Sequence, residues 1–246
     1  PPSGMAPPPR LLYLGHLGHH LTPAQLDAIK QFDSCALSNA IEEFGLRLRN
    51  EGYTKPGLRC IFPELGPMLG YAVTSRIKTS NPPPAGPYYY DRNDWWGLML
   101  KQPAPHVAVI QDVDEKRGIG ASVGEVHSSI LQALHCVGVV TDGAVRDLPA
   151  VRALRFPMFA CHVSVSHAYV HMVDFGHPVE ICGLKIHSGD LLYGDCHGVL
   201  SIPQQIAGEV AAKAAELLKK ERTVIDLCRS PEFTIDKLRT AVRDLE

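Results

Sequence analysis

The chain has 246 residues, 45% of them apolar and 20% charged, with a formal net charge of −2. That length and balance suit one sizeable globular domain. Without a basic excess, nucleic acid and anionic membrane surfaces are poor partners, and no apolar run reaches the ~18 residues of a membrane span.

The run from Pro1 to Pro9 is proline-rich and lacks the apolar stretch of a secretory signal. Residues 1–20 therefore read as a flexible tail and 21–246 as a single domain. Seven cysteines, an odd number with no C-x-x-C pair, fit reduced thiols in a cytoplasmic protein. Cys136 and Cys161 lie in apolar runs and read as small core residues.

Thr22-Pro23-Ala24-Gln25 has the pattern of a capping box with proline at the first helical position. A second helix is expected from Ser34, with Leu37, Ala40, Ile41 and Phe44 on one stripe and Gly45 as its stop. Leu69–Thr74 reads as a strand. The long proline-rich, aromatic run 80–96 reads as a packed lid or subunit contact. His106–Val113 is an apolar strand. A glycine-rich turn at 118–124, a helix from Glu125 to Cys136 and a strand ending near Asp142 follow, making a βαβ crossover. A helix at 148–154, a strand at 158–161 and turn-rich β structure from Pro178 to Pro203 come next. A long helix, with Ile206, Val210, Ala214, Leu217 and Leu218 facing inward, and a last helix at 235–245 complete the chain.

Two motifs carry chemistry. Gly118-x-Gly120-x-x-x-Gly124-Glu125 opens a helix. Its spacing is neither that of the dinucleotide fingerprint nor that of a P-loop, but its glycines and first helical N–H groups suit a small carboxylate. The plainer alternative is a tight turn and helix cap without a ligand. Asp142-Gly-Ala-Val-Arg146-Asp147 follows a strand end, where ligands gather in α/β sheets. An arginine fork holds the oxygens of an oxo acid, and one or two carboxylates plus water suit Mg²⁺ or Mn²⁺. The plainer alternative there is an Asp147 helix cap beside a solvated Arg146.

Twenty residues separate Glu125 from Arg146-Asp147. This resembles the acidic-x20-Arg-Asp signature of the 4-hydroxy-4-methyl-2-oxoglutarate/4-carboxy-4-hydroxy-2-oxoadipate aldolases and of the RraA-like family at large. Leu69-Gly-Tyr-Ala-Val-Thr74, Gly138-Val-Val-Thr-Asp-Gly-Ala-Val-Arg-Asp147, Ser164-x-Ser-His-Ala-Tyr169 and Gly189-Asp-Leu-x-x-Gly-Asp-x-x-Gly-Val-x-x-Ile-Pro203 extend it over roughly residues 22 to 220. The resemblance implies an α/β fold of layered α/β/β, swivelling-domain type with a mixed sheet core, and a ring-shaped homotrimer or a homohexamer. It implies that Asp147 and Glu125 hold a divalent metal, Mg²⁺ or Mn²⁺, and that Arg146 binds a small-molecule oxo acid. Substrate would also rest on Gly124 and on the backbone N–H groups of Glu125, Val126 and His127. Glu125 stands where those aldolases usually carry Asp, and Ala150 and Asn39 replace commonly acidic positions.

The reading is thus a metal-dependent lyase, an aldolase or an oxaloacetate decarboxylase, with Arg146, Asp147 and Glu125 as its catalytic group. Two alternatives stand beside it: a lyase or dehydratase of another hydroxy or sugar acid on the same site, and a non-catalytic regulator of ribonuclease activity. His167 and His171 are four apart, but the Val-Ser-Val-Ser before them favours strand or loop over a helical zinc pair. His197 is a further candidate to face the cleft at a subunit boundary.

Overall fold

The computed structural model describes residues 20–83 and 92–243. The expected tail, up to residue 19, and Tyr88 to Tyr90 of the aromatic run lie outside the described residues. Two short helices open the fold, α1 (Pro23–Ile29) and α2 (Ser34–Glu42). The Thr22 side chain accepts the Gln25 N–H and the Gln25 side chain answers, so the capping box forms as its spacing predicts. Asp33 caps α2 by accepting the Ala36 N–H. The helix ends at Glu42, three residues short of Gly45, and the chain then turns through Gly45 at φ +61°.

The strands are β1 (Arg59–Cys60), β2 (Met68–Lys78), β3 (His106–Asp112), β4 (Ala121–Val123), β5 (Cys136–Val145), β6 (Met158–Val163), β7 (His171–Phe175), β8 (Val179–Ile181), β9 (Leu184–Ile186), β10 (Leu191–Asp195) and β11 (Gly198–Ile202). Nine of them form one mixed sheet in the order β1-β6-β5-β3-β2-β10-β11, with β4 beside β5 and β7 beside β2. β2, β3, β5 and β6 run parallel. β10 and β11 add an antiparallel edge.

The central strands are buried on both faces, which is why they read as unbroken apolar runs. Alternation along β2 separates two cores. Leu69, Tyr71 and Val73 face the helices, while Met68 and Ala72 face the hairpin β8–β9. On the helix side lie α1, α2 and α6 (Val210–Arg229) at one end, and α3 (Arg92–Met99), α4 (Glu125–Ala133) and α5 (Leu148–Ala153) at the other. Helices, sheet and hairpin make the expected α/β/β layering.

Several expectations need correction, among them the helix from Glu125, which ends at Ala133 and leaves Cys136 to open β5. The end of the aromatic run is helical: α3 begins at Arg92, and Trp95 and Met99, one turn apart, anchor it in the core. β5 does not stop near Asp142 but continues to Val145. Leu218 on α6 is exposed rather than inward-facing, although Ile206, Val210 and Ala214 are buried. The last helix, α7 (Ile235–Arg243), buries none of its residues. Cys136 is a core residue as expected, whereas Cys161 is half-buried with its Sγ 3.1 Å from that of Cys182. Among the described residues no helix is long and apolar enough to cross a membrane.

Candidate active site

β3 delivers the chain to the glycine-rich loop, and buried carboxylates of β3 and β5 hold that loop in place. Asp112 Oδ2 accepts the Gly118 N–H at 2.9 Å. Asp142, buried in the middle of β5, takes the Asp112 N–H at 2.7 Å and pairs with Arg117 at 2.7 Å. Burial raises the Asp142 carboxyl to about 6 against the partial relief given by these donors. Asp142 therefore secures the loop, and the strand ends three residues later at Val145, just before Arg146-Asp147 at the cleft.

At that point the chain takes an uncommon turn. Asp147 has φ +54° and ψ +38°, the left-handed region that side chains other than glycine seldom adopt. It occupies the N-cap position of α5, yet its side chain makes no cap hydrogen bond. The carboxylate turns instead to the start of α4, where Oδ2 accepts the Glu125 N–H at 3.1 Å and meets Arg146 Nε at 3.5 Å. Asp147 is thus no helix cap. Gly124 permits the approach, because a Cβ there would collide with the Asp147 carboxylate. The Arg146 N–H is pinned to the Val123 carbonyl at 2.9 Å, which locks the two strand ends together.

These residues border a cleft of about 440 Å³. Gly124, Val126, His127, Arg146 and Asp147 form one side, Arg92 and Trp96 of α3 another, and His167, Ala168 and Tyr169, from the loop between β6 and β7, the third. The N–H groups of Val126 and His127 have no acceptor among the described residues, as the first turn of a helix allows. Asp147 Oδ1 is likewise without a partner there. Glu125 is exposed at the first position of α4, and its own side chain is not part of the cleft wall. The structure therefore brings Gly124, Val126, His127, Arg146 and Asp147 together and leaves the Glu125 carboxylate at the rim.

His127 is a feature the sequence reading missed, having used only its backbone. Nδ1–H donates to the Ser122 carbonyl at 2.9 Å. The ring lies edge-on to Trp95 and tilted against Trp96, both at 6.2 Å between centroids. Burial, and secondarily Arg92, bring its pKa down to about 4, so the imidazole is neutral. No periodicity marks this contact, which depends on α3 folding over α4.

Of the other histidine candidates, His167 lies in the third wall of the cleft, and His171 and His197 do not line it. His171 is buried on β7 and His167 is exposed in the preceding loop; each places Nδ1 2.8 Å from a nearby carbonyl. They are not a helical pair. His197 sits with Ser34 in a separate 160 Å³ pocket, its Nδ1 3.1 Å from Asp195.

Comparison with known proteins bears on the family and the fold. A family model described as RraA-like (Aldolase/RraA) matches residues 34–201. An uncharacterized protein of Methanocaldococcus jannaschii is 34% identical over 192 residues, 76% of this chain and 86% of that one. A protein of Halalkalibacterium halodurans, provisionally named a 4-hydroxy-4-methyl-2-oxoglutarate aldolase, is 30% identical over 48% of this chain and 59% of its own length. Among solved structures, an uncharacterized Pseudomonas syringae protein superposes with a TM-score of 0.69 at 24% identity, covering 89% of this chain and 94% of that one. Streptomyces coelicolor RraAS2, described as an unusual member of the RNase ES inhibitor RraA family, gives 0.65 at 19% identity, covering 82% and 96%. At those identities the two structures speak for the fold alone. With its fold, its motifs and more than half its length matched, the chain belongs to the RraA-like family.

Proposed function

We propose that the protein is a divalent-metal-dependent lyase that breaks a carbon–carbon bond of a 2-oxo acid, by retro-aldol cleavage, by decarboxylation of oxaloacetate, or by both. One observation carries this reading. Asp147 holds a disfavoured backbone conformation and leaves its own helix uncapped, which puts its carboxylate beside Arg146 and the start of α4 in an open cleft. Backbone of this kind clusters at functional sites.

Each group has a task in that chemistry. The amides of Val126 and His127 at the positive end of α4 hold the substrate carboxylate. Arg146 stabilises the negative charge that gathers on the C2 oxygen as the C3–C4 bond breaks. In aldol cleavage water in the cleft takes the 4-hydroxyl proton as that carbon becomes the carbonyl of the second product, and C3 of the enolate takes up a proton from water; in oxaloacetate decarboxylation CO₂ leaves and only the protonation at C3 is needed. The residues fit a hard cation. Asp147 Oδ1 is free of partners among the described residues and Glu125 stands at the rim, an oxygen-only donor set of the kind Mg²⁺ and Mn²⁺ take with water completing the shell. When bound, the cation polarises the 2-oxo group as a Lewis acid.

The provisional name of the Halalkalibacterium relative supports the aldolase branch. Around the cleft, Val126, Val163, Val165 and Tyr169 are exposed, Val165 at 98%, which supports a homo-oligomer, trimer or hexamer, that covers this rim. The test is release of pyruvate from oxaloacetate and from 4-hydroxy-4-methyl-2-oxoglutarate, with Mg²⁺ or Mn²⁺ and with EDTA. Release that needs the metal supports the lyase. A folded, metal-supplied protein that releases none from either contradicts the pyruvate-lyase reading and favours another acid or a purely binding role.

A further inference from the structure

Among the described residues, six buried side-chain nitrogen or oxygen atoms have no hydrogen-bond partner. Five of them gather around the start of α4: Trp95 Nε1, Trp96 Nε1, Ser122 Oγ, His127 Nε2 and Ser128 Oγ. Both tryptophan rings lie against the His127 ring, and Ser122 supplies the carbonyl that fixes it. Buried polar atoms are ordinarily partnered. Three of them, on Trp96, Ser122 and His127, belong to residues that line the cleft, with Trp95 and Ser128 packed behind, and mark a place built to meet the polar groups of a ligand.

The chemistry of that ligand follows from the His127 tautomer. Because a carbonyl only accepts, Nδ1 must carry the proton given to Ser122, and in the neutral imidazole, the form an ordinary histidine mostly takes above pH 7, Nε2 then carries the lone pair. Nε2 can therefore only accept a hydrogen bond. The carboxylate and ketone oxygens of a 2-oxo acid are acceptors too, so an acid bearing nothing else would leave Nε2 unanswered or set lone pair against lone pair. A hydroxyl group donates to Nε2, and its oxygen can still accept from an indole N–H or a serine hydroxyl in the same wall.

We propose that His127 is a specificity-determining residue whose Nε2 accepts a hydrogen bond from a substrate hydroxyl, so that the cleft prefers hydroxylated 2-oxo acids over their deoxy counterparts. This rests on the 2-oxo-acid reading of the Arg146–Asp147 end of the cleft. It selects the aldol type of substrate over oxaloacetate on the ground of this chain's own imidazole.

The chain contains two tryptophans, Trp95 and Trp96, and both touch His127. Intrinsic fluorescence therefore reports on this wall without requiring turnover. The experiment mixes the Mg²⁺-loaded full chain rapidly with 2-oxobutanoate or 4-hydroxy-2-oxobutanoate, which differ by one hydroxyl. Dissociation constants come from the fluorescence change before any cleavage, with calorimetry on 2-oxobutanoate as a second measure. His127→Leu and His127→Gln are measured alongside, their folding checked by circular dichroism. The expected result is about tenfold or more tighter binding of the hydroxy acid by the native protein. The ratio should fall to near one in His127→Leu and be partly restored in His127→Gln, whose amide oxygen is again an acceptor. Equal affinities in the native protein, or a ratio unchanged in folded His127→Leu, would overturn the role of His127 while leaving the oxo-acid site standing. If neither acid changes the fluorescence of the native protein and 2-oxobutanoate gives no binding by calorimetry, the oxo-acid reading fails and the inference falls with it.

Discussion

Asp147 bears two local costs at once: about 1–2 kcal/mol for a left-handed backbone on a residue with a side chain, and about 1 kcal/mol for a helix end left without its cap. What the protein gains is a carboxylate at the start of α4. Gly124 is the residue that makes room for it. Gly124→Ala should therefore lower turnover at least about tenfold by pushing the Asp147 carboxylate aside, while the protein stays folded; steady-state kinetics and thermal denaturation check this. A second residue sets an acid limit on stability. His106, 1% exposed on β3, has its pKa lowered from 6.5 to about 4, by burial first and by His135 second. Its neutral form is favoured in the folded state, so between pH 6.5 and 4 the unfolded chain binds a proton that the folded one does not. Stability contributed by His106 is fully present above pH 6.5 and is lost as pH falls towards 4, by about 3 kcal/mol in all. Denaturant titrations across that range should show a shallower acid loss in His106→Leu than in the native chain; parallel curves would count against the assignment.

Elements were legible where local chemistry and tertiary environment agree. The capping box at Thr22, the helix from Ser34 and the strands buried on both faces each carry their own pattern, and the structure reproduces them. The end of β5 was misplaced because Asp142 is a buried carboxylate inside a strand, paid for by Arg117 and the Asp112 N–H, and neither partner is visible in a local window. α3 was hidden by the prolines before it, and its helical signal is little more than the Trp95–Met99 spacing. The same division applies to the site. Gly124 to His127 and Arg146-Asp147 show as motifs, whereas the wall made by Trp96 and Ser122, with Trp95 packed behind it, exists only once α3 packs on α4. Close packing of the parallel strands gives a test at this scale. Gly138 lies on β5, where a Cβ would come 2.9 Å from the Pro157 carbonyl and 2.5 Å from Met68 Sδ. Gly138→Ala should cost about 1–3 kcal/mol by overpacking, read from the shift in denaturation midpoint.

At the scale of the whole molecule, the apolar rim of the cleft shapes the expected assembly. Val126 in the cleft wall and Val165 in the loop that supplies the wall's His167 to Tyr169 are 74% and 98% exposed, and the carboxylates of the site gain strength from exclusion of water. Sedimentation should give three or six times the chain mass of 26.9 kDa, and Val165→Asp should shift the population towards the monomer; a native monomer would contradict the proposed assembly. The claim on which the account turns is that Arg146 and Asp147 form a metal-dependent lyase centre. Its most direct test is the rate of pyruvate release from 4-hydroxy-4-methyl-2-oxoglutarate and from oxaloacetate in Mg²⁺ by the native chain, Arg146→Ala and Asp147→Asn. Asparagine tolerates the left-handed backbone, so that variant should fold as the native chain does. The account predicts metal-dependent release that falls at least about 100-fold in each variant, with EDTA silencing the native chain to the same degree. Release that persists in the folded variants, or that ignores EDTA, would contradict it.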